Sequence, residues 1–161
     1  MTPSERRSCT VTFPNDLEIV ATRDFDAPID LVFDVLTQPE HLRKTIAPFG
    51  ETVTELSIDL REGGTYRYVF VPEGGPECAF NGTFLELQRP ARIAATWHFE
   101  GWPGVEAVET QTLHEHDGVT TMQWSLAFRD QAGRDRMSST DGIEANLQHI
   151  DDLLQSLQGN T

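Results

Sequence analysis

The sequence predicts an α+β domain in which a curved seven-stranded antiparallel sheet is closed by one long C-terminal helix. Three observations carry this prediction. Between Glu51 and Arg129 apolar side chains recur with a period of about two, interrupted by turn signals at Gly63-Gly64, Gly74-Gly75-Pro76, Arg89-Pro90, Gly101 to Gly104 and Asp117-Gly118. After Gly133 the period lengthens to about 3.6 and holds to Leu157. No repeat, low-complexity tract or linker divides the 161 residues, so one domain accounts for the chain.

Residues 1–16 are polar and contain Pro3 and Pro14, which predicts a loose tail, with the domain running over 17–158. Leu17, Ile19, Ala21 and Phe25 alternate with Glu18, Val20, Thr22 and Asp24 and form the first strand. A short helix follows. Asp26 can cap it, Pro28 suits its first turn, and Ile29, Val32, Phe33 and Leu36 recur at spacings of three and four. Pro39 opens a second brief helix through His41 and Leu42 to about Lys44.

Six strands come next, and parity assigns their faces because successive side chains point to opposite sides of a sheet. Tyr66, Tyr68 and Phe70 oppose Arg67. Ile93, Ala95, Trp97 and Phe99 oppose Thr96, His98 and Glu100, and Met122, Trp124, Leu126 and Phe128 oppose Thr121, Gln123, Ser125 and Arg129. Phe80, Gly82 and Phe84 join the aromatic face, to which Val108, Thr110 and Thr112 are expected to add a more polar stripe. On the final helix Met137, Ile143, Leu147, Ile150, Leu154 and Leu157 share one side, with Asp151, Asp152 and Gln155 on the other.

A sheet with one aromatic face must fold that face over the amphipathic helix, since neither can leave its apolar side in water. The helix cannot fill the groove, because its N-terminal half offers Ser138, Ser139, Gly142, Ala145 and Asn146. Any one of the facing aromatics is more simply a packing residue. As a set opposite small side chains they predict a cavity, mostly apolar with a few polar tips. The residues expected to contact a ligand there are Tyr66, Tyr68, Phe80, Phe84, Trp97, Phe99, Trp124, Gly142, Ile143 and Asn146.

Composition excludes several function classes. A formal charge of −14, from 26 acidic against 12 basic residues, repels phosphate backbones, which argues against nucleic acid and anionic membrane surfaces. The N-terminus has no apolar stretch after its Arg pair, so neither a signal peptide nor a membrane span is expected and the cytoplasm is the expected compartment. Cys9 and Cys78 form no CxxC and are expected to be free thiols. His114 and His116 share one strand face, but they adjoin the Asp117-Gly118 turn with no evident third ligand, so no metal or other cofactor is expected.

Catalysis would require an inward carboxylate or imidazole. Glu86 is the nearest candidate, but a bulge near Leu85 and Leu87 would turn it outward, and no catalytic residue is assigned. Tyr66 and Tyr68 could donate hydrogen bonds to a ligand carbonyl. Exposed sheet edges or helix faces leave a homodimer open.

The order Phe25-Asp26-Ala27-Pro28, Val32-Phe33, Pro39-Glu40-His41-Leu42, Asp59 to Gly64, Gly82-Thr83-Phe84-Leu85-Glu86-Leu87, Pro90-Ala91-Arg92-Ile93 and Thr96-Trp97 resembles the START-like (SRPBCC) superfamily. Within it, the chain is similar to the branch related to the activator of the heat-shock chaperone ATPase, over about Leu17 to Leu157. The resemblance implies a helix-grip fold, β-α-α-β6-α, with a cavity between the sheet and the last helix. Where many members carry a tryptophan pair after the second helix, this chain has Lys44, Thr45 and Ile46, which alters one cavity wall.

Three functions follow in order of expectation. The first is non-catalytic binding of a small apolar or amphipathic molecule. The second is an enzyme of the cyclase or dehydratase kind that such folds host, which requires an inward His, Asp or Glu beside the aromatic wall. The third is a protein-interaction module of the chaperone-ATPase-activator type, ranked last because the eukaryotic activators carry an additional N-terminal domain that sixteen residues could not form.

Overall fold

Alternating side chains build the sheet, and the glycine- and proline-bearing breaks between them set its order. The computed structural model describes residues 9–47, 49–137, 139 and 141–159. Its strands are β1 (Thr10–Thr12), β2 (Glu18–Phe25), β3 (Thr52–Ile58), β4 (Thr65–Val71), β5 (Cys78–Gln88), β6 (Arg92–Phe99), β7 (Ala107–His116) and β8 (Val119–Phe128). The helices are α1 (Ile29–Thr37), α2 (Pro39–Thr45), α3 (Gln131–Asp135) and α4 (Asp141–Leu157). All strand pairs are antiparallel, in the order β1-β2-β8-β7-β6-β5-β4-β3. The architecture is α+β with a helix-grip arrangement, as the sequence predicts.

The described residues hold eight strands rather than seven. Thr10, Val11 and Thr12 pair with Thr22, Ala21 and Val20, so part of the segment read as a loose tail forms the sheet edge. Its threonines and valine favour extended backbone, but three residues are too few to show a period. Residues 1–8 of that segment lie outside the described residues.

One inward stripe runs along β2 through Ile19, Ala21, Arg23 and Phe25, all buried. Leu17, expected in this stripe, precedes the strand and is exposed. The surprise is Arg23, whose guanidinium meets the Asp151 carboxylate of α4 at 3.6 Å with both side chains almost fully enclosed, and which also donates to Gln148 Oε1 at 3.2 Å. Asp151 and Gln155 are therefore buried, against the expected polar side of this helix, while Leu157 is exposed. An acidic residue on an apolar helix face is tolerated only where a cation answers it.

The helical stretch after Gly133 is two helices. Asp130 accepts a hydrogen bond from the Gly133 N–H at 2.7 Å and caps the short α3, and Ser139 Oγ accepts from the Asp141 N–H at 3.3 Å at the start of α4. Hydroxyl and carboxylate side chains compete for backbone donors, which explains the break in the serine-rich segment. Ser138 lies outside the described residues. No helix among the described residues is long and apolar enough to cross a membrane.

Close approach fixes the middle of the sheet at Gly82. A Cβ there would collide with the Thr96 carbonyl oxygen and come within 2.7 Å of the Tyr66 ring. The Tyr66 ring is held in place by its hydroxyl, which donates to that same Thr96 carbonyl at 3.0 Å. Gly82→Ala is therefore expected to lower stability by about 1–3 kcal/mol, the usual penalty of overpacking. The urea midpoint reads this, and an unchanged midpoint would show that the ring and strand can move aside without loss.

Candidate functional site

Helix α4 covers the concave face of the sheet unevenly. Its C-terminal half drives Leu147, Ile150, Leu153 and Leu154 into the core, whereas Gly142, Ile143 and Asn146 near its start remain half-buried opposite the aromatic strands. A cavity of about 410 Å³ is left between them, within the roughly 300–1,000 Å³ common for small-molecule sites.

All ten residues singled out from the sequence front this cavity. Tyr66 and Tyr68 enter from β4, Phe80 and Phe84 from β5, Trp97 and Phe99 from β6, and Trp124 from β8, with Gly142, Ile143 and Asn146 on α4. The rings support one another. Phe80 stands at the centre, 5.2 Å from Tyr68, 5.7 Å from Trp97 and 4.9 Å from Phe99 between ring centroids. Asn146 Nδ2 donates to the Thr45 carbonyl at 2.6 Å, joining α4 to α2. Thr45 and Ile46 line the same wall, so the segment that departs from the tryptophan pair does border the cavity.

Among the lining residues that sequence reasoning missed are the polar Glu109 and Gln111. On β7 the inward side chains are Ala107, Glu109, Gln111 and Leu113, one position out of step with the expected Val108, Thr110 and Thr112. Val108 points outward and is exposed. The two-residue turn decides this parity. Asp117 and Gly118 both take positive φ, His116 pairs with Val119, and counting back places Leu113 beside Met122, Gln111 beside Trp124 and Glu109 beside Leu126. Trp102, in the turn from Gly101 to Gly104, also folds over the cavity, its ring edge-on to Phe99 at 5.0 Å.

Glu109 is the inward ionisable group that the sequence did not reveal. Its carboxylate accepts a hydrogen bond from Trp124 Nε1 at 2.8 Å, and the surface it retains fronts the cavity. No Lys, Arg or His occurs among the described residues lining that space. Burial pushes the Glu109 carboxyl above its ordinary value of 4.5, opposed in part by the Trp124 hydrogen bond. Burial likewise raises both tyrosine phenols, and the Glu109 charge adds to the effect. Both phenols stay protonated as donors. That of Tyr66 is committed to Thr96, while that of Tyr68 has no hydrogen-bond partner among the described residues.

The other candidates fall away from the cavity. A register shift between Phe84 and Glu86 leaves Leu85 exposed and turns Glu86 to the outer face, where it accepts from Arg92 Nε at 2.8 Å. His114 and His116 are exposed at the hairpin end. His98 sits on the outer face, its Nδ1 3.2 Å from the Val105 carbonyl. Among the described residues, no three His, Cys, Asp or Glu side chains stand together as a metal site.

Because the folded state holds the Glu109 proton more tightly than the unfolded chain, stability falls as pH rises from 4.5 towards the raised folded value. Glu109→Gln removes this penalty and keeps an acceptor for Trp124. It is expected to raise the melting temperature at neutral pH by a few degrees, at roughly 2–4 °C per kcal/mol for a chain of this size, with the gain vanishing below the ordinary carboxyl value. No gain over the unaltered protein at neutral pH, or a gain of the same size at both pH values, would mean that the carboxyl is solvated.

Residues 26–155 match the model of the family described as Activator of Hsp90 ATPase homolog 1-like protein. Among solved structures, a Rhodobacter sphaeroides protein is similar at 20% identity and a TM-score of 0.85, over 93% of this chain and 99% of the other. A Chromobacterium violaceum protein is 26% identical with a TM-score of 0.77, over 89% and 99%. An HSP90 activator from Plasmodium falciparum is 17% identical with a TM-score of 0.63, over 89% and 96%. No curated protein matches the chain. With 130 consecutive positions, 26–155, matched on the fold described above, the chain belongs to the family of Activator of Hsp90 ATPase homolog 1-like proteins.

Proposed function

We propose that this protein binds a small apolar or amphipathic molecule in the cavity between the sheet and α4. The observation that carries this reading is the cavity itself, about 410 Å³ walled by mutually packed aromatic rings with few polar groups. Apolar contact would supply affinity. The Tyr68 hydroxyl, the Gln111 amide and the Glu109 carboxyl would set orientation. Membership of the family supports a ligand-binding or a chaperone-activator-type domain, and the Plasmodium neighbour carries the latter description. A surface that only docks another protein has no use for this internal space, which favours the ligand.

Glu109 gives specific support to a second reading. A cyclase or dehydratase on this fold needs an inward acid beside the aromatic wall, and Glu109 meets that need with a carboxyl whose proton affinity burial increases. Turnover of the bound molecule, lost in Glu109→Gln while binding persists, would separate an enzyme from a carrier.

Native mass spectrometry of the purified protein, followed by organic extraction, tests the binding reading. The expected result is a reproducible organic molecule whose readdition raises the melting temperature, by about 2.7 kcal/mol of stabilisation at a hundredfold excess over its Kd. Ile143→Trp, which adds a ring to the cavity wall, is expected to abolish that mass and that shift while the far-ultraviolet circular dichroism stays unchanged. Binding of the same molecule undiminished in the variant would place it elsewhere and overturn the assignment.

A further inference from the structure

We infer that the cavity selects a ligand bearing a protonated amine on an apolar body, with the amine seated on Glu109 and the body against the aromatic wall. The inference rests on the small-molecule reading above and names its ligand class.

Three observations converge on it. Glu109 is the one acidic side chain among the described residues lining the cavity, and no basic side chain there answers it. A carboxylate withdrawn from water without a counter-cation is costly, and a ligand that supplies the cation removes the cost. Trp124 touches Glu109, and Tyr66, Tyr68, Trp97 and Phe80 wall the same cavity, with ring faces that are electronegative and attract a cation a second time. The chain as a whole carries a formal charge of −14, a field that concentrates cations near the protein and disfavours anions. A fatty acid or other carboxylate would therefore meet repulsion at long range and again inside.

Hydrogen-bond geometry leaves room for such a ligand. Among the described residues Glu109 receives one bond, from Trp124 Nε1, and a carboxylate accepts about four. The Trp124 bond also fixes the carboxyl on the cavity side of β7, so an ammonium group could approach it from within the space. The Gln111 amide, two residues along the same strand face, makes no side-chain hydrogen bond to the described residues and can accept from a second ammonium hydrogen.

Three probes of matched shape test this: 4-phenylbutylamine, 4-phenylbutanol and 4-phenylbutanoate, each titrated against a neutral fluorescent reporter of the cavity, N-phenyl-1-naphthylamine, at mildly alkaline pH. The amine is expected to displace the reporter at about tenfold lower concentration than the alcohol, with the carboxylate weakest. In Glu109→Gln the preference for the amine over the alcohol should disappear, and a preference that persists would overturn the assignment. If the alcohol or the carboxylate matches the amine in the unaltered protein, the amine assignment is wrong although the cavity still binds. If the reporter itself fails to bind, the small-molecule reading fails and the amine assignment falls with it.

Discussion

The fold depends on how a single helix is fixed to a concave sheet that is too wide for it. The buried pairing of Arg23 on β2 with Asp151 on α4 sets this position. Two charges enclosed together are no great source of net stability, because their desolvation offsets most of their attraction. Their value is in register: with Asp151 opposite Arg23, Leu147, Ile150 and Leu154 enter the core. A slide of one helical turn would leave both charges buried apart. The helix start, with Gly142 and Asn146, is then held over the aromatic strands, and Asn146 fastens it to α2 through Thr45. The cavity is what remains once the other end of the helix has been committed to the core.

The sheet separates two carboxylates into opposite chemical settings. Glu100, just beyond β6, lies on the outer face and receives two hydrogen bonds from Arg67 and one from Asn81. The Arg67 guanidinium is the main reason that its carboxyl is held down to about 2. Glu109, on the next strand, faces inward with an indole N–H as its sole hydrogen-bond partner among the described residues, and burial pushes it the other way. Residue type is the same in both cases. The face each occupies decides whether the group is a paired surface anion or an interior carboxyl, which is how environment gives identical side chains different proton affinities.

Much of this was legible in the sequence because period and turn chemistry are local signals. The aromatic parity of β4, β6 and β8, the bulge that expels Glu86 and the small residues at the start of α4 all survive in the structure. The failures have physical causes. Val108 drew the reading of β7 to the wrong face, since a β-branched residue is normally the better inward choice than Glu109. The correct register was nonetheless present in the Asp117-Gly118 turn, whose two-residue length transfers the parity of β8 to β7. Trp102 lies inside the Gly101 to Gly104 turn, where strand parity assigns no face, so its place over the cavity is not readable from period. The inward placement of Arg23 and Asp151 was not readable from either segment alone, because each excuses the other only across the core.

A cavity of this kind is not what stability alone would produce. Leucine at position 109 would bury apolar surface where the chain instead keeps a carboxyl, and larger side chains at Gly142 or Asn146 would fill space that now has no protein on one side. Glu109, Gly142 and Asn146 all border the same space. The surrounding rings do the opposite, packing on one another at centroid separations of 4.9–5.7 Å about Phe80. If the proposed ligand binds there, a wall of mutually packed rings with a carboxyl set into it is the arrangement of preorganised binding, in which the ordering of the site is completed on folding.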